Sequence, residues 1–149
     1  MDNFIGNIDA KVDNKGRVFV PADFRKILQS VGDTRLILRK DIYAKCLVLY
    51  PAPVWEEELS TLRNKLKKYG KESRQLYRTF IQDSKIVEMD SNGRILIPKR
   101  YLQLAGINTD ICFMGMDQTI EIWDSECLDS SKLDNATFEQ LMNQLDNND

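Results

Sequence analysis

An aspartate and an arginine recur four residues apart in this chain, inside two stretches that match each other. The first is Asp13-Asn14-Lys15-Gly16-Arg17-Val18-Phe19-Val20-Pro21 and the second is Asp90-Ser91-Asn92-Gly93-Arg94-Ile95-Leu96-Ile97-Pro98. Asp, Gly, Arg and Pro keep their offsets, 77 positions apart (90 − 13). The chemistry open to such a pair is recognition rather than bond-making. A guanidinium is a rigid, permanently charged fork that meets a phosphate or a guanine edge with two parallel N–H bonds. An arginine presented twice, at the same place on a duplicated unit, suits a pseudo-symmetric surface that reads something repetitive and negative, such as DNA.

The spacing dictates how the arginine is held. Asp13 suits the first position of a type I turn, where its carboxylate caps backbone N–H groups. Gly16 suits the following left-handed position of a G1 bulge. Asp-x-x-Gly therefore spells a hairpin turn, with Val12 and Val18 on the flanking strands. Arg17 starts the returning strand, where it pairs with Asp13 or points outward. A single copy would be an ordinary hairpin with an ion pair at its end. Three features favour binding: the repetition with matched flanks, the choice of Arg both times, and the surroundings. Residues 11–26 hold five bases (Lys11, Lys15, Arg17, Arg25, Lys26) against two acids (Asp13, Asp23). The second copy is less basic, with Ser91 and Asn92 in its turn and Lys99 and Arg100 after it.

The elements that position these turns follow from the same repeat. Ala22–Leu28 and Lys99–Ala105 are short amphipathic helices, each introduced by a proline and closed near Gly32 or Gly106. Strands are expected at residues 36–38, 46–50, 111–114 and 119–123, with turns at 40–41 and 116–118. Each unit is thus ββαββ followed by a helix, giving a mainly β, α+β fold. Residues 53–82 are helical, with Trp55, Leu59, Leu62 and Leu66 on one apolar face. Gly70 divides this stretch, and Leu76, Tyr77, Phe80 and Ile81 form the second face. Residues 124–145 are one helix or two, with residues 146–149 frayed. The organisation is a first repeat (1–52), linking helices (53–82), a second repeat (83–124) and a C-terminal helix with an acidic tail (125–149). One such unit is too small to bury a good core. Two packed together would share one, around a pseudo-two-fold for which exchange of strands is one route.

Composition narrows the function. The net charge is −2, but residues 117–149 hold nine acids and one base, a net −8. Residues 1–116 hold 20 bases and 14 acids, a net +6. A basic body carries an acidic end, an arrangement that holds the acids away from a basic binding face. A further basic run, Arg63, Lys65, Lys67, Lys68, Lys71, Arg74 and Arg78, reads as a solvated helix face. Trp55 and Trp123 sit among apolar residues and read as core rather than stacking platforms. There is no histidine, and Cys46, Cys112 and Cys127 lack metal-ligand spacing. They read as buried free thiols. No Gly-rich phosphate loop, nucleophile elbow or informative pair of acids is present, and Glu56-Glu57-Glu58 reads as the acidic opening of a helix. No catalytic residue, metal, cofactor or small-molecule substrate is expected. No apolar run approaches membrane-spanning length, and the start carries no signal-peptide pattern, so a cytosolic location is the expectation.

The residues resemble the MraZ family over nearly the whole chain. Phe4-Ile5-Gly6, the Asp13–Pro21 hairpin and Leu49-Tyr50-Pro51 with Trp55-Glu56 carry the resemblance in the first half. Arg74-Gln75-Leu76, Gly93–Pro98, Leu104-Ala105-Gly106 and Glu121-Ile122-Trp123 carry it in the second. Ile5 stands where the family usually has Arg, and Ser91-Asn92 where a Lys or Gln pair is common. The resemblance implies two AbrB-like swapped-hairpin units forming a double-barrel core. It also implies ring-shaped homo-oligomers, nucleoid association, and binding to G-rich direct repeats in a promoter of the division and cell-wall gene cluster. The family's DNA-contacting signature falls on Asp13 and Arg17 and on Asp90 and Arg94, with Lys15 as an added contact. The alternative is an antitoxin-like or scaffold protein acting through protein partners, for which the acidic end and the last apolar helix would serve.

Overall fold

The computed structural model describes residues 3–66 and 69–148; Lys67 and Lys68 of the basic run, and the tail acid Asp149, lie outside them. Among the described residues, eight strands and five helices run in the order β1 (Asn7–Lys11), β2 (Arg17–Phe19), α1 (Ala22–Ser30), β3 (Arg35–Lys40), β4 (Leu47–Pro51), α2 (Ala52–Lys65), α3 (Lys71–Gln82), β5 (Ser84–Glu88), β6 (Arg94–Leu96), α4 (Lys99–Leu104), β7 (Asp110–Met116), β8 (Thr119–Asp124) and α5 (Asn135–Asn147). A short 3-10 turn at Leu128–Ser131 precedes α5.

The prolines do what the sequence assigns them. Pro21 and Pro98 sit at φ −53° and −59° immediately before α1 and α4. Each supplies a preset backbone angle where no intrahelical N–H is needed. Phe24 and Leu28, four apart, bury the inner face of α1, and Tyr101 buries that of α4.

The strands exchange partners between the halves. The main sheet has the order β1-β7-β8-β4-β3-β5, and β2 pairs with β6 in a separate two-stranded ribbon. β1 of the first half lies against β7 of the second, and β5 of the second half lies against β3 of the first, all antiparallel. The central pair, β4 with β8, takes one strand from each half. In the ribbon Val18 faces Ile95, its own repeat mate 77 positions on (95 − 18), so the pseudo-two-fold passes between them. Each half leaves strand edges that the other half covers: β1 lies along β7, and β5 lies along β3.

One core follows from this pairing. Val18, Val20, Phe24, Leu38 and Leu49 pack in the same buried cluster as Ile95, Ile97, Tyr101, Phe113 and Ile122. Each such side chain contributes about 1.5–3 kcal/mol when fully buried, and the two halves share that gain. A second cluster holds the linking helices to the sheet: Ile37, Ala52, Trp55, Leu59 and Phe80. Trp55 stacks on Phe80 with ring centroids 5.4 Å apart and an interplanar angle of 5°. Arg39, only 6% exposed, lies over the Phe80 ring and donates from Nε to the Phe80 carbonyl and from Nη1 to the Lys40 carbonyl.

Several local expectations are corrected. The β1 and β2 strands flank the first turn but are not ladder partners; the turn crosses from one sheet to the other. α2 begins at Ala52, so Glu56–Glu58 lie beyond its first turn and do not face the helix N-terminus. Leu66 lies past the end of α2, and Leu76 is 53% exposed, lining an open cleft with Ile42, Tyr43 and Phe80 rather than the buried face. Cys46 and Cys112 are buried, whereas Cys127 is half-buried at the edge of the 3-10 turn. Residues 146 and 147 continue α5 instead of fraying. Trp55 and Trp123 are buried, as expected.

Candidate nucleic-acid interface

The two signature turns are built alike to within a few tenths of an ångström. Gly16 N–H donates to the Asp13 carbonyl at 3.0 Å and Asp13 N–H to the Arg17 carbonyl at 2.9 Å. Gly93, Asp90 and Arg94 repeat both bonds at 3.0 and 2.8 Å. Gly16 and Gly93 have φ of +90° and +83°, the left-handed angle that closes the bulge. The aspartates hold the turns from inside. Asp13 Oδ1 accepts the Lys15 and Arg17 backbone N–H groups at 2.9 and 2.8 Å, and Asp13 Oδ2 accepts Arg17 Nε at 2.9 Å. Asp90 does the same for Asn92 and Arg94, with all three distances 2.9 Å. The Arg17 and Arg94 backbone N–H groups, ahead of the side-chain bonds, hold the two carboxyls below their ordinary range.

This geometry fixes what each arginine offers. The aspartate takes the Nε edge, so no terminal Nη nitrogen of Arg17 or Arg94 donates to protein among the described residues. Those nitrogens remain for an external acceptor. The Asp–Arg pair is therefore an orienting device more than a stabilising one, since exposed ion pairs contribute roughly 0–1 kcal/mol.

The turns are clipped to each other across the pseudo-two-fold. Val20 N–H donates to the Gly93 carbonyl at 3.0 Å, and Ile97 N–H to the Gly16 carbonyl at 2.8 Å. In the ribbon Arg17 is opposite Leu96 and Phe19 is opposite Arg94. Opposite residues share a face, so all four side chains stand outward while Val18 and Ile95 point into the core. The two arginines occupy one diagonal of a small patch, with Cα atoms roughly 7–8 Å apart. Phe19 and Leu96, 56% and 53% exposed, occupy the other.

Sequence reasoning missed two contributors. Phe19 and Leu96 were expected only as parts of apolar runs; counting by twos from Arg17 and Arg94 places them outward. Arg25, which sequence proximity assigns to the first turn, instead packs under the second. A Cβ at Gly93 would lie 2.7 Å from Arg25 Cδ, and Arg25 Nη1 donates to the Val20 carbonyl at 2.8 Å. The less basic second turn thus borrows a cation from the first half. The arginines are also inequivalent: the Arg94 guanidinium lies 5.7 Å from the Phe19 ring centre, whereas Arg17 faces an aliphatic Leu96. Lys15 is exposed at the tip of the first turn, where the second has Asn92. Among the described residues no group of three or more Cys, Asp or Glu is placed to hold a metal.

The duplication also appears in comparison with known proteins. A family model described as "MraZ protein, putative antitoxin-like" matches residues 4–79 and again residues 80–130. The chain belongs to the MraZ family. Among similar relatives, the transcriptional regulator MraZ of Bacteroides fragilis is 55% identical over 126 residues, 85% of this chain and 80% of the relative. That of Bacteroides thetaiotaomicron is 48% identical over 147 residues, 96% of this chain and 94% of the relative. That of Nitrosospira multiformis is 40% identical over 123 residues, covering 83% and 82%. As a member of the MraZ family the chain carries its two signature turns in the two matched segments, at residues 13–17 and 90–94. No helix among the described residues is long and apolar enough to cross a membrane.

Proposed function

We propose that this chain is a sequence-specific, DNA-binding transcriptional regulator that acts as a ring of identical subunits on direct repeats in the promoter of the division and cell-wall gene cluster. The observation that carries the reading is the outward face of the β2/β6 ribbon. It presents Arg17 and Arg94 together, each turned outward by its own aspartate. A two-stranded ribbon fits the major groove, and arginine forks there read guanine O6 and N7. Asp13 and Asp90 orient the arginines, and Lys15 adds a phosphate contact beside the first turn. The exchange of strands supports an AbrB-like swapped-hairpin unit, with repeats at 1–52 and 83–124 joined through helices 53–82. A ring matches successive boxes spaced by about one helical turn, and weak single contacts sum through high effective concentration. Relatives named as transcriptional regulators support the regulatory role. The expected location is the cytoplasm, on the nucleoid.

The test is Arg17→Ala and Arg94→Ala against the unmodified protein. Each should lose roughly 5- to 150-fold in affinity for the repeat DNA, the equivalent of about 1–3 kcal/mol per bidentate contact. Far-ultraviolet circular dichroism should not change, because both side chains are partly exposed and outside the core. Full affinity in both variants would sink the assignment. A protein-partner role is the second reading, favoured by the apolar face that α5 leaves uncovered. Arg17→Ala with Arg94→Ala separates the two, because DNA binding through the ribbon would be lost and capture of a protein partner through the apolar face of α5 would survive.

A further inference from the structure

The last helix carries a bare apolar stripe. Phe138, Leu141, Met142 and Leu145 recur at three- and four-residue spacing and are 55%, 45%, 46% and 62% exposed. No residue of α5 is buried, although the helix is well started by the Asp134 carboxylate, which accepts the Thr137 N–H at 2.7 Å. Helical geometry places the four apolar side chains on one face and puts Glu139 and Asp146 together on one flank of it. α5 contains no lysine or arginine.

A second bare surface has the complementary character. Between α2 and α3 runs a groove of about 670 Å³. Its apolar lining comes from Leu66 and Tyr77, and its charged lining from Arg63, Arg74 and Arg78. No acid is among its described lining residues, and none of the three arginines is in an ion pair among the described residues. Arg74, Tyr77 and Arg78 fall within one turn and a half of α3, so a row of positive charge edges the apolar strip.

We propose that α5 of one copy of this chain lies in the α2/α3 groove of a second copy. Its stripe covers Leu66 and Tyr77, and its Glu139/Asp146 flank meets Arg74 and Arg78. Charge selects this occupant over a second α5, because two α5 helices side by side would bring acids together with no base to offset them. The contact joins two different surfaces of the chain, so it is head-to-tail, the kind that closes into a ring or runs on as a filament. The inference rests on the ring-oligomer reading above and supplies a contact for it.

The test is the molar mass of the full chain by light scattering after size exclusion, without DNA. Glu139→Arg with Asp146→Arg should lower the mass towards one copy, as should Arg74→Glu with Arg78→Glu. All four changes in one chain should restore the assembly, since the charges are then exchanged in place. Leu141→Glu should also dissociate it, and circular dichroism should be unchanged because the site is exposed. An unmodified protein that runs as single copies would overturn both this contact and the ring reading. An assembled protein whose mass ignores the reversals, rises with them, or is not restored by the fourfold exchange would overturn the contact alone.

Discussion

Replacing the glycine of each signature turn by alanine should give unequal costs, and the inequality probes the exchange of strands. Gly16 and Gly93 have nearly the same left-handed φ, +90° and +83°. A Cβ at that angle costs roughly 1–2 kcal/mol at either site. The neighbours differ. At Gly16 the added Cβ would lie 2.5 Å from the Ile97 carbonyl oxygen, a backbone atom of the other half. Relief requires the strands to part, which breaks the 2.8 Å bond from Ile97 N–H to the Gly16 carbonyl. Leaving that bond unmade adds about 1–3 kcal/mol. At Gly93 the nearest atom is Arg25 Cδ at 2.7 Å, the middle of a flexible side chain that can swing aside by giving up its 2.8 Å bond to the Val20 carbonyl, a loss of about 0.5–1.5 kcal/mol. Gly16→Ala should therefore cost about 2–5 kcal/mol and Gly93→Ala about 1.5–3.5 kcal/mol. Urea denaturation followed by circular dichroism reads both, with the midpoint falling further for Gly16→Ala and the slope unchanged. Equal midpoints, or a larger loss for Gly93→Ala, would refute the claim that the first turn is clipped to the second half.

Acidification should loosen the two turns together. Asp13 and Asp90 titrate below the ordinary carboxylate value of 3.8, so the order they impose is complete above that pH and is lost as pH falls through their lowered values. The amide protons of Lys15, Arg17, Asn92 and Arg94 should shift in nuclear magnetic resonance spectra with midpoints below 3.8; midpoints at or above it would contradict the capping. Phe80→Ala should cost about 3–5 kcal/mol, as large-to-small core changes do, because it removes the ring that Trp55 stacks on and Arg39 covers. A loss below about 1 kcal/mol in the same urea assay would mean that the linking helices are not part of the cooperative core.

The turns were legible because their chemistry is local. Asp at the first position, Gly at the left-handed position and Pro before the helix each have one physical reason to be there, and the backbone follows them. The duplication announced a shared core for a similar reason: a ββαββ unit cannot bury its own apolar face. Which strand pairs with which was not legible. β1 against β7 and β5 against β3 are long-range choices that period-two patterning permits but does not select. The outward pair Phe19 and Leu96 escaped notice because a three-residue apolar run hides its own alternation. Arg25 was assigned to the wrong turn because proximity in sequence is a poor guide once halves interlock. The start of α2 was legible to within one residue, but the acids at 56–58 do not mark it; they follow a Pro51-Ala52 start that needs none.

If the paired arginine turns read repeated DNA, binding must depend on the repeats. Fluorescence anisotropy of the full chain with a labelled duplex from upstream of its own gene, carrying the direct repeats, tests it most directly. A scrambled duplex at roughly 150 mM salt is the control, because phosphate-only binding weakens steeply there. Tight binding that depends on the repeats, and that falls when one repeat is scrambled, is the expected result. Equal, weak binding to both duplexes would contradict it.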